Sequence, residues 1–197
     1  MNHGVMRHVF RIAVGQDPRY RFPMNMKKIL LGMTAMVLAA SASAQAGSIY
    51  DELKAIDASY GDQIDRGQQV MLTQNAQGPW PKAWVFRVID AQPEQVAAVF
   101  WDFPTHKSFY PSVIKSDVSA RPSALITEVD YGVSVPIMAD EYYTVRDVLS
   151  SYEEGGHAYK IEWTKVKASS TRHIEGHILI EAFRGKTLIE YYNYVIP

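Results

Sequence analysis

Between residues 84 and 118 the chain changes its hydrophobic period from strand to helix and back, which limits what it can fold into. Trp84, Phe86 and Val88 alternate with Val85 and Arg87, the period of two of a half-buried strand. Pro93 then suits the first turn of a helix, where its missing N–H costs nothing. Val96, Val99, Phe100 and Phe103 follow at i, i+3, i+4 and i+7, which gives that helix one apolar face. Pro104 stops it. A short second helix follows, and the aromatic pair Phe109-Tyr110 before Pro111 leads into a strand over 113–118.

Before this unit, Ser48 reads as a helix N-cap with Asp51 at the third helical position. Ile49, Leu53, Ile56, Tyr60 and Ile64 then share one helical face, so a single helix is expected over 48–66. Gly67 ends it, Val70-Met71-Leu72 suggests a first short strand, and Gly78-Pro79-Trp80-Pro81 is a turn signal. After the unit come five runs rich in β-branched and aromatic residues, at 125–131, 142–149, 157–166, 171–183 and 187–196. The breaks carry turn chemistry at Gly132, Pro136, Glu154-Gly155-Gly156, 167–170 and Arg184-Gly185-Lys186. Strands in series joined by short turns predict an antiparallel meander, and helices placed early make the class α+β.

The start of the chain reads differently. Lys27-Lys28, an uncharged apolar run over 29–40 and the small residues of Ser41-Ala42-Ser43-Ala44-Gln45-Ala46 form the three-part layout of a secretory signal peptide. The run is shorter than the roughly 20 residues of a spanning helix, so no stable membrane anchor is expected after cleavage behind Ala46. Residues 1–23 read as a start-site artefact or an extended n-region, and 24–46 as the signal. That leaves 47–197 as a single exported domain, expected in the periplasm. Residues 1–46 hold six of the 20 Lys and Arg and one of the 21 Asp and Glu. The remainder therefore has 14 basic and 20 acidic side chains, a net charge of −6. Such a balance argues against nucleic acid as a partner. With no cysteine, neither disulfides nor a lipidated cysteine can be invoked.

The residues Pro93-Glu94-Gln95-Val96, Phe100-Trp101-Asp102-Phe103, Phe109-Tyr110-Pro111-Ser112-Val113 and Ser116-Asp117-Val118 resemble the opening of the SRPBCC superfamily. That group includes START lipid-transfer domains, polyketide cyclases and coenzyme Q-binding proteins. Tyr159-Lys160-Ile161-Glu162-Trp163 resembles the family's strand with a central Trp, Gly176 falls where the next strand usually carries glycine, and the stretch from Gly185 to Pro197 is similar to the closing strand. Asp140, within Ala139-Asp140-Glu141-Tyr142-Tyr143, stands where arginine is common. The resemblance spans about residues 68–197. It implies a START-like helix-grip fold, α+β, in which a curved antiparallel sheet and a long C-terminal helix enclose a cavity for one lipid-like molecule. That helix is missing from this sequence, so the domain is expected to be truncated, or to cover its concave face with the 48–66 helix or a second subunit. The implied function is an exported protein holding one hydrophobic small molecule or lipid. The alternatives are a cyclase- or aromatase-type enzyme on the same fold, or an interaction module that fills its own cavity.

On alternation, Trp84, Phe86, Tyr159, Ile161 and Trp163 are expected on the concave side, where aromatics with a polar tip can pack and still hydrogen-bond a ligand. Trp84 and Phe86 suit core and cavity equally. Among Trp163, Tyr142, Tyr143, Tyr191, Tyr192 and Tyr194, at least two are expected to line the cavity. Arg146 shares a strand face with Tyr142 and Thr144; it suits a surface ion pair better than an anionic head group. His173, Glu175 and His177 alternate on one strand face, but neighbours at i and i+2 stand about 6.5 Å apart. A solvated outer face is the expectation there, with no metal and no cofactor. Asp102 and His106 read as a helix end and a surface residue rather than an acid–base pair. There is no G-x-S-x-G, H-E-x-x-H, P-loop or G-x-G-x-x-G.

Overall fold

A computed structural model describes residues 48–76, 78–135, 139–151 and 158–197. The expectations for 1–46, Pro136 and 154–156 lie outside these residues. Eight strands form one antiparallel sheet in the order β1-β2-β8-β7-β6-β5-β4-β3. They are β1 (Val70–Gln74), β2 (Lys82–Ile89), β3 (Val113–Ser123), β4 (Ile126–Val133), β5 (Glu141–Ser151), β6 (Ala158–Ala168), β7 (His173–Phe183) and β8 (Lys186–Ile196). From β3 to β8 each strand pairs with its successor in sequence, as a meander requires, and β2 closes onto β8. At the β7–β8 hairpin, Arg184 and Gly185 take φ of 51° and 77°. Positive φ at both central residues is the type I′ signature that matches strand twist. Gly132 does not break a strand. It sits inside β4 opposite Tyr142, whose ring lies where a side chain would go.

Two layers of helix cover the two faces. On the inner face lies α3 (Pro93–Trp101), with Pro93 at its start and the Gln95 side chain accepting from the Gln92 N–H at 3.0 Å. Its Val96 and Ala97 pack with Leu149, Tyr159, Ile161, Ile178, Ile180 and Ile189. A 3₁₀ helix, Phe103–Ser108, continues along this face and buries Phe103 against Val129, Tyr131, Val145 and Ile174. Ser116 fixes the join by donating to the Phe103 carbonyl at 2.5 Å.

On the outer face lie α1 (Ile49–Ile56) and α2 (Ala58–Asp65). The expected single helix is therefore two. Asp57 is extended (φ −157°, ψ 123°) and caps α2 by accepting from the Ser59 N–H at 2.8 Å. The break re-aims the apolar stripe: Ile49, Leu53 and Ile64 are buried, whereas Ile56 is 64% exposed. The buried three pack on Val70, Phe86 and Leu188. Polar contacts latch the pair to the β7–β8 hairpin. Ser48 donates to the buried Glu181 at 2.9 Å. Arg184 pairs with Asp65 at 2.9 Å and lies over the rings of Tyr50 and Phe183. Among the described residues, no helix is long and apolar enough to cross a membrane.

If α1 belongs to the same cooperative unit as the sheet, Leu53→Ala should cost about 2–5 kcal/mol, as buried Leu truncations do. Urea denaturation should then show one transition shifted to lower midpoint. A change under about 0.5 kcal/mol would mean the helix is an accessory.

Candidate functional site

The site is built on the inner face by the alternation of β4, β5, β6 and β8. In β5, Tyr143, Val145, Asp147 and Leu149 point inward, and Tyr142, Thr144 and Arg146 point outward. Register carries Asp147 beside Thr127 of β4 and Trp163 of β6, then on to Gly176 of β7 and Asn193 of β8. The Trp163 indole lies flat across Gly176. A Cβ there would come within 2.3 Å of Cζ2 of Trp163 and 2.4 Å of the Tyr192 carbonyl oxygen. Displaced this way, the indole meets Tyr191 at 5.3 Å between ring centroids. Trp163, Tyr143 and Tyr191 remain half-buried.

The 3₁₀ segment brings polar and aromatic groups to the same region. His106 is buried, with Nε2 donating to the Phe100 carbonyl at 3.2 Å and Nδ1 accepting from the Tyr131 hydroxyl at 2.7 Å. A carbonyl only accepts, so Nε2 carries the proton, and burial pushes the imidazole pKa down to about 4. This ring is neutral at physiological pH. The Tyr131 ring is tilted against that of Tyr143, with centroids 5.6 Å apart. Tyr110 follows the 3₁₀ helix and lies close to Tyr191. Burial raises the phenol pKa of Tyr110, Tyr131, Tyr143 and Tyr191, and in each case the Asp147 charge adds to the effect.

Asp147 is the centre of this group. It is 4% exposed, and its Oδ2 has no hydrogen-bond partner. Burial alone pushes its carboxyl up to about 8. An orphaned acceptor of this kind costs on the order of 1–3 kcal/mol, so something about the site repays holding it there.

Two of the open depressions among the described residues lie against this sheet. One, about 340 Å³, is lined by Lys115, Asp130, Tyr131, Tyr143, Thr144 and Lys167 among others, at the edge of the aromatic group. The other, about 420 Å³, lies on the outer face between α1, β1 and β2, where Trp84, Phe86, Leu53 and Leu72 meet Glu52 and Glu190.

Known structures share this architecture. The chain is similar to a fragment of the STAR-related lipid transfer protein from Xanthomonas axonopodis, at 12% identity and TM-score 0.58, over 66% of this chain and 77% of that one. It is similar to human STARD10, at 15% identity and TM-score 0.56, over 80% and 71%. It is also similar to the lipid transfer and protein localization domain of human StarD13, at 10% identity and TM-score 0.52, over 72% and 81%. The fold is START-like. No family model and no curated protein matches the sequence.

Within this START-like sheet the residues singled out in the sequence divide between two faces. Tyr143, Tyr159, Trp163 and Tyr191 are inward, with Ile161. Trp84 and Phe86 are not: β2 pairs with β8 so that they oppose Tyr192 and Glu190 and pack under α1, while Val85 opposes Tyr191. Tyr192 is outward too, with its ring 4.9 Å from Trp84 and its hydroxyl donating to Glu175 at 2.9 Å. Tyr142 is 49% exposed. Arg146 makes the surface ion pair, reaching Glu128 at 2.7 Å. On the outer face His177 pairs with Glu190 at 2.9 Å and His173 with Glu175 at 3.1 Å. Among the described residues, no three His, Cys, Asp or Glu are grouped to hold a metal ion. His106 is not the surface residue expected, because the turn after Pro104 drives it under Tyr131. Asp147, Tyr131 and Tyr110 were missed. The available signal was parity: Asp147 alternates with Val145 and Leu149, an acid in an otherwise apolar row.

The two buried titrations have opposite signs. His106, with its pKa lowered, removes stability as pH falls from 6.5 towards 4, because the unfolded chain then binds more protons. Asp147, raised to about 8, removes stability as pH rises from 3.8 to 8, because the folded chain holds the proton. Between pH 6.5 and 8 only Asp147 acts, so stability should fall there with a slope of up to about 1.4 kcal/mol per pH unit. Chemical denaturation across that window should lose this slope in Asp147→Asn; an unchanged slope would place the titration elsewhere. Separately, Gly176→Ala should cost about 1–3 kcal/mol as overpacking and shift Trp163 fluorescence. No change in either would mean that the indole does not lie on the glycine.

Proposed function

We propose that the inner face of the sheet binds one hydrophobic, lipid-like small molecule, and that the chain carries or sequesters it after export to the periplasm. The observation that supports this most is the half-buried surface of Trp163, Tyr143 and Tyr191 surrounding one polar side chain with an unmet hydrogen-bonding atom. Apolar area supplies affinity at roughly 25 cal/mol per Å², and a few placed polar groups supply orientation. The neighbours named as lipid transfer proteins share the fold and point the same way. Export rests on the signal-like pattern of 24–46.

A second reading has a specific observation behind it. A carboxyl with a pKa near 8 is protonated at neutral pH and stands beside phenols whose pKa values are raised. Such a group can donate to, or withdraw a proton from, a bound molecule, as a cyclase-type enzyme on this fold would require. Multiple turnover of a bound polyketide-like substrate, abolished in Asp147→Asn, would favour this second reading over simple carriage.

Binding is tested with the neutral fluorophore N-phenyl-1-naphthylamine, titrated onto the protein. Saturable binding at one site is expected. Trp163→Ala should weaken it about tenfold or more, equivalent to about 1.4 kcal/mol, while Trp84→Ala, on the outer face, should leave affinity within about twofold. The opposite ranking would move the site to the depression beneath α1.

A further inference from the structure

The inner face is unequal in what it offers a polar head group. Its central side chain is a carboxyl with a free acceptor atom, Asp147 Oδ2. Two of the nearby donors are committed. Tyr131 donates to His106, and His106 donates to the Phe100 carbonyl. The nearby cations are committed or distant. Lys165 is next to Val145 across the β5–β6 ladder, but its ammonium donates to the carbonyls of Thr171 and Arg172. Arg146 is on the outer face with Glu128. Arg87 is inward but on β2, four strands from β5, about 19 Å at the usual strand spacing. The faces of Trp163, Tyr143 and Tyr191 carry the negative side of their quadrupoles, which attracts cations and repels anions.

We propose that the molecule bound on the inner face carries a hydrogen-bond donor at its polar end, a hydroxyl or a protonated amine, received by Asp147 Oδ2, and that the site with this carboxyl ionised turns away carboxylate and phosphate heads. This deepens the binding function proposed above and rests on it. A donor head meets the buried side-chain acceptor that, among the described residues, the fold leaves unsatisfied, so the burial cost already present in the free protein is recovered on binding. Once the Asp147 carboxyl is ionised, an anionic head would be placed beside a like charge, among π faces, with Lys165 held by backbone carbonyls and Arg87 four strands away. Specificity here comes from the repulsive element as much as from the attractive one.

The test uses three probes with the same chain and different heads, decylamine, decanol and decanoate, each displacing N-phenyl-1-naphthylamine from the full chain at about pH 9, where the Asp147 carboxyl is ionised. Decylamine and decanol should each bind at least about tenfold more tightly than decanoate, and their own order tells which donor the site prefers. Asp147→Asn keeps the shape but presents N–H donors, so it should favour decanoate relative to decylamine and cut their ratio about tenfold or more. Asp147→Ala, which removes the group altogether, serves if the Asn variant does not fold, and should bring the three probes within about threefold. Equal binding of all three by the unmodified protein, or tightest binding of decanoate, overturns the head-group inference alone. The same holds if no probe displaces a dye that does bind through Trp163. Failure of the dye itself to bind overturns the underlying binding function as well.

Discussion

An eight-stranded sheet has two faces, and each must be taken out of water by something the chain supplies. That requirement organises this molecule. The outer face is closed where β1, β2 and β8 meet α1 and α2, with Leu53, Ile64, Phe86 and Leu188 almost fully buried. The inner face is closed along β6, β7 and β8 by α3, and along β3 and β4 by the 3₁₀ helix with Phe103 and His106. Between those two covers the aromatic surface around Trp163 and Tyr191 is only half-buried. Under the proposed binding function, this is the surface a hydrophobic molecule would cover.

Asp147 gives that surface its chemistry. In a row otherwise filled by valine, leucine and aromatic side chains, a carboxyl is destabilising unless paired. Here burial raises its pKa to about 8, with no offsetting cation among the described residues, so its proton stays on at neutral pH. The result is a group able to donate or accept according to what is presented to it. His106 plays a different part. Locked between Phe100 and Tyr131 as a neutral ring, it ties the 3₁₀ helix to β4 and positions the Tyr131 phenol near Tyr143. At the rim, Glu141 accepts from Ser170 and from the Thr171 N–H, holding the β6–β7 connection against the start of β5. Partial burial opposes its charge, yet these hydrogen bonds bring its carboxyl down to about 2.

The order of elements was legible in the sequence because periodicity and turn chemistry are local. Pro93 opening a helix, the Arg184-Gly185 turn and the alternation of Tyr159, Ile161 and Trp163 all needed only neighbours along the chain. Which face a strand presents is not local. Period two says that Trp84 and Phe86 share a side, but β2 meets β8 a hundred residues later, and that register sends them under α1. Both faces of β2 are covered, so its composition does not distinguish them. The site was half legible for the same reason. Trp163, Tyr143, Tyr159 and Tyr191 announce themselves as aromatics, whereas Asp147 looks like one of many strand acids until the row it occupies is known. Arg146, one position earlier, attracted attention because of its charge, yet it faces solvent beside Glu128. In the 48–66 segment the helical period ran through Asp57, whose side chain is a better cap than a helix interior residue.

The most direct measurement is the titration of Asp147 itself. With ¹³C-labelled aspartate in the folded protein, the Cγ resonance assigned through Asp147→Asn can be followed from acid to mildly alkaline pH. A midpoint near 8 is expected, well away from the remaining aspartates, and it should move when a donor-headed apolar molecule is added. A midpoint near the ordinary 3.8 would contradict the buried, unpaired carboxyl on which the inner-face site depends.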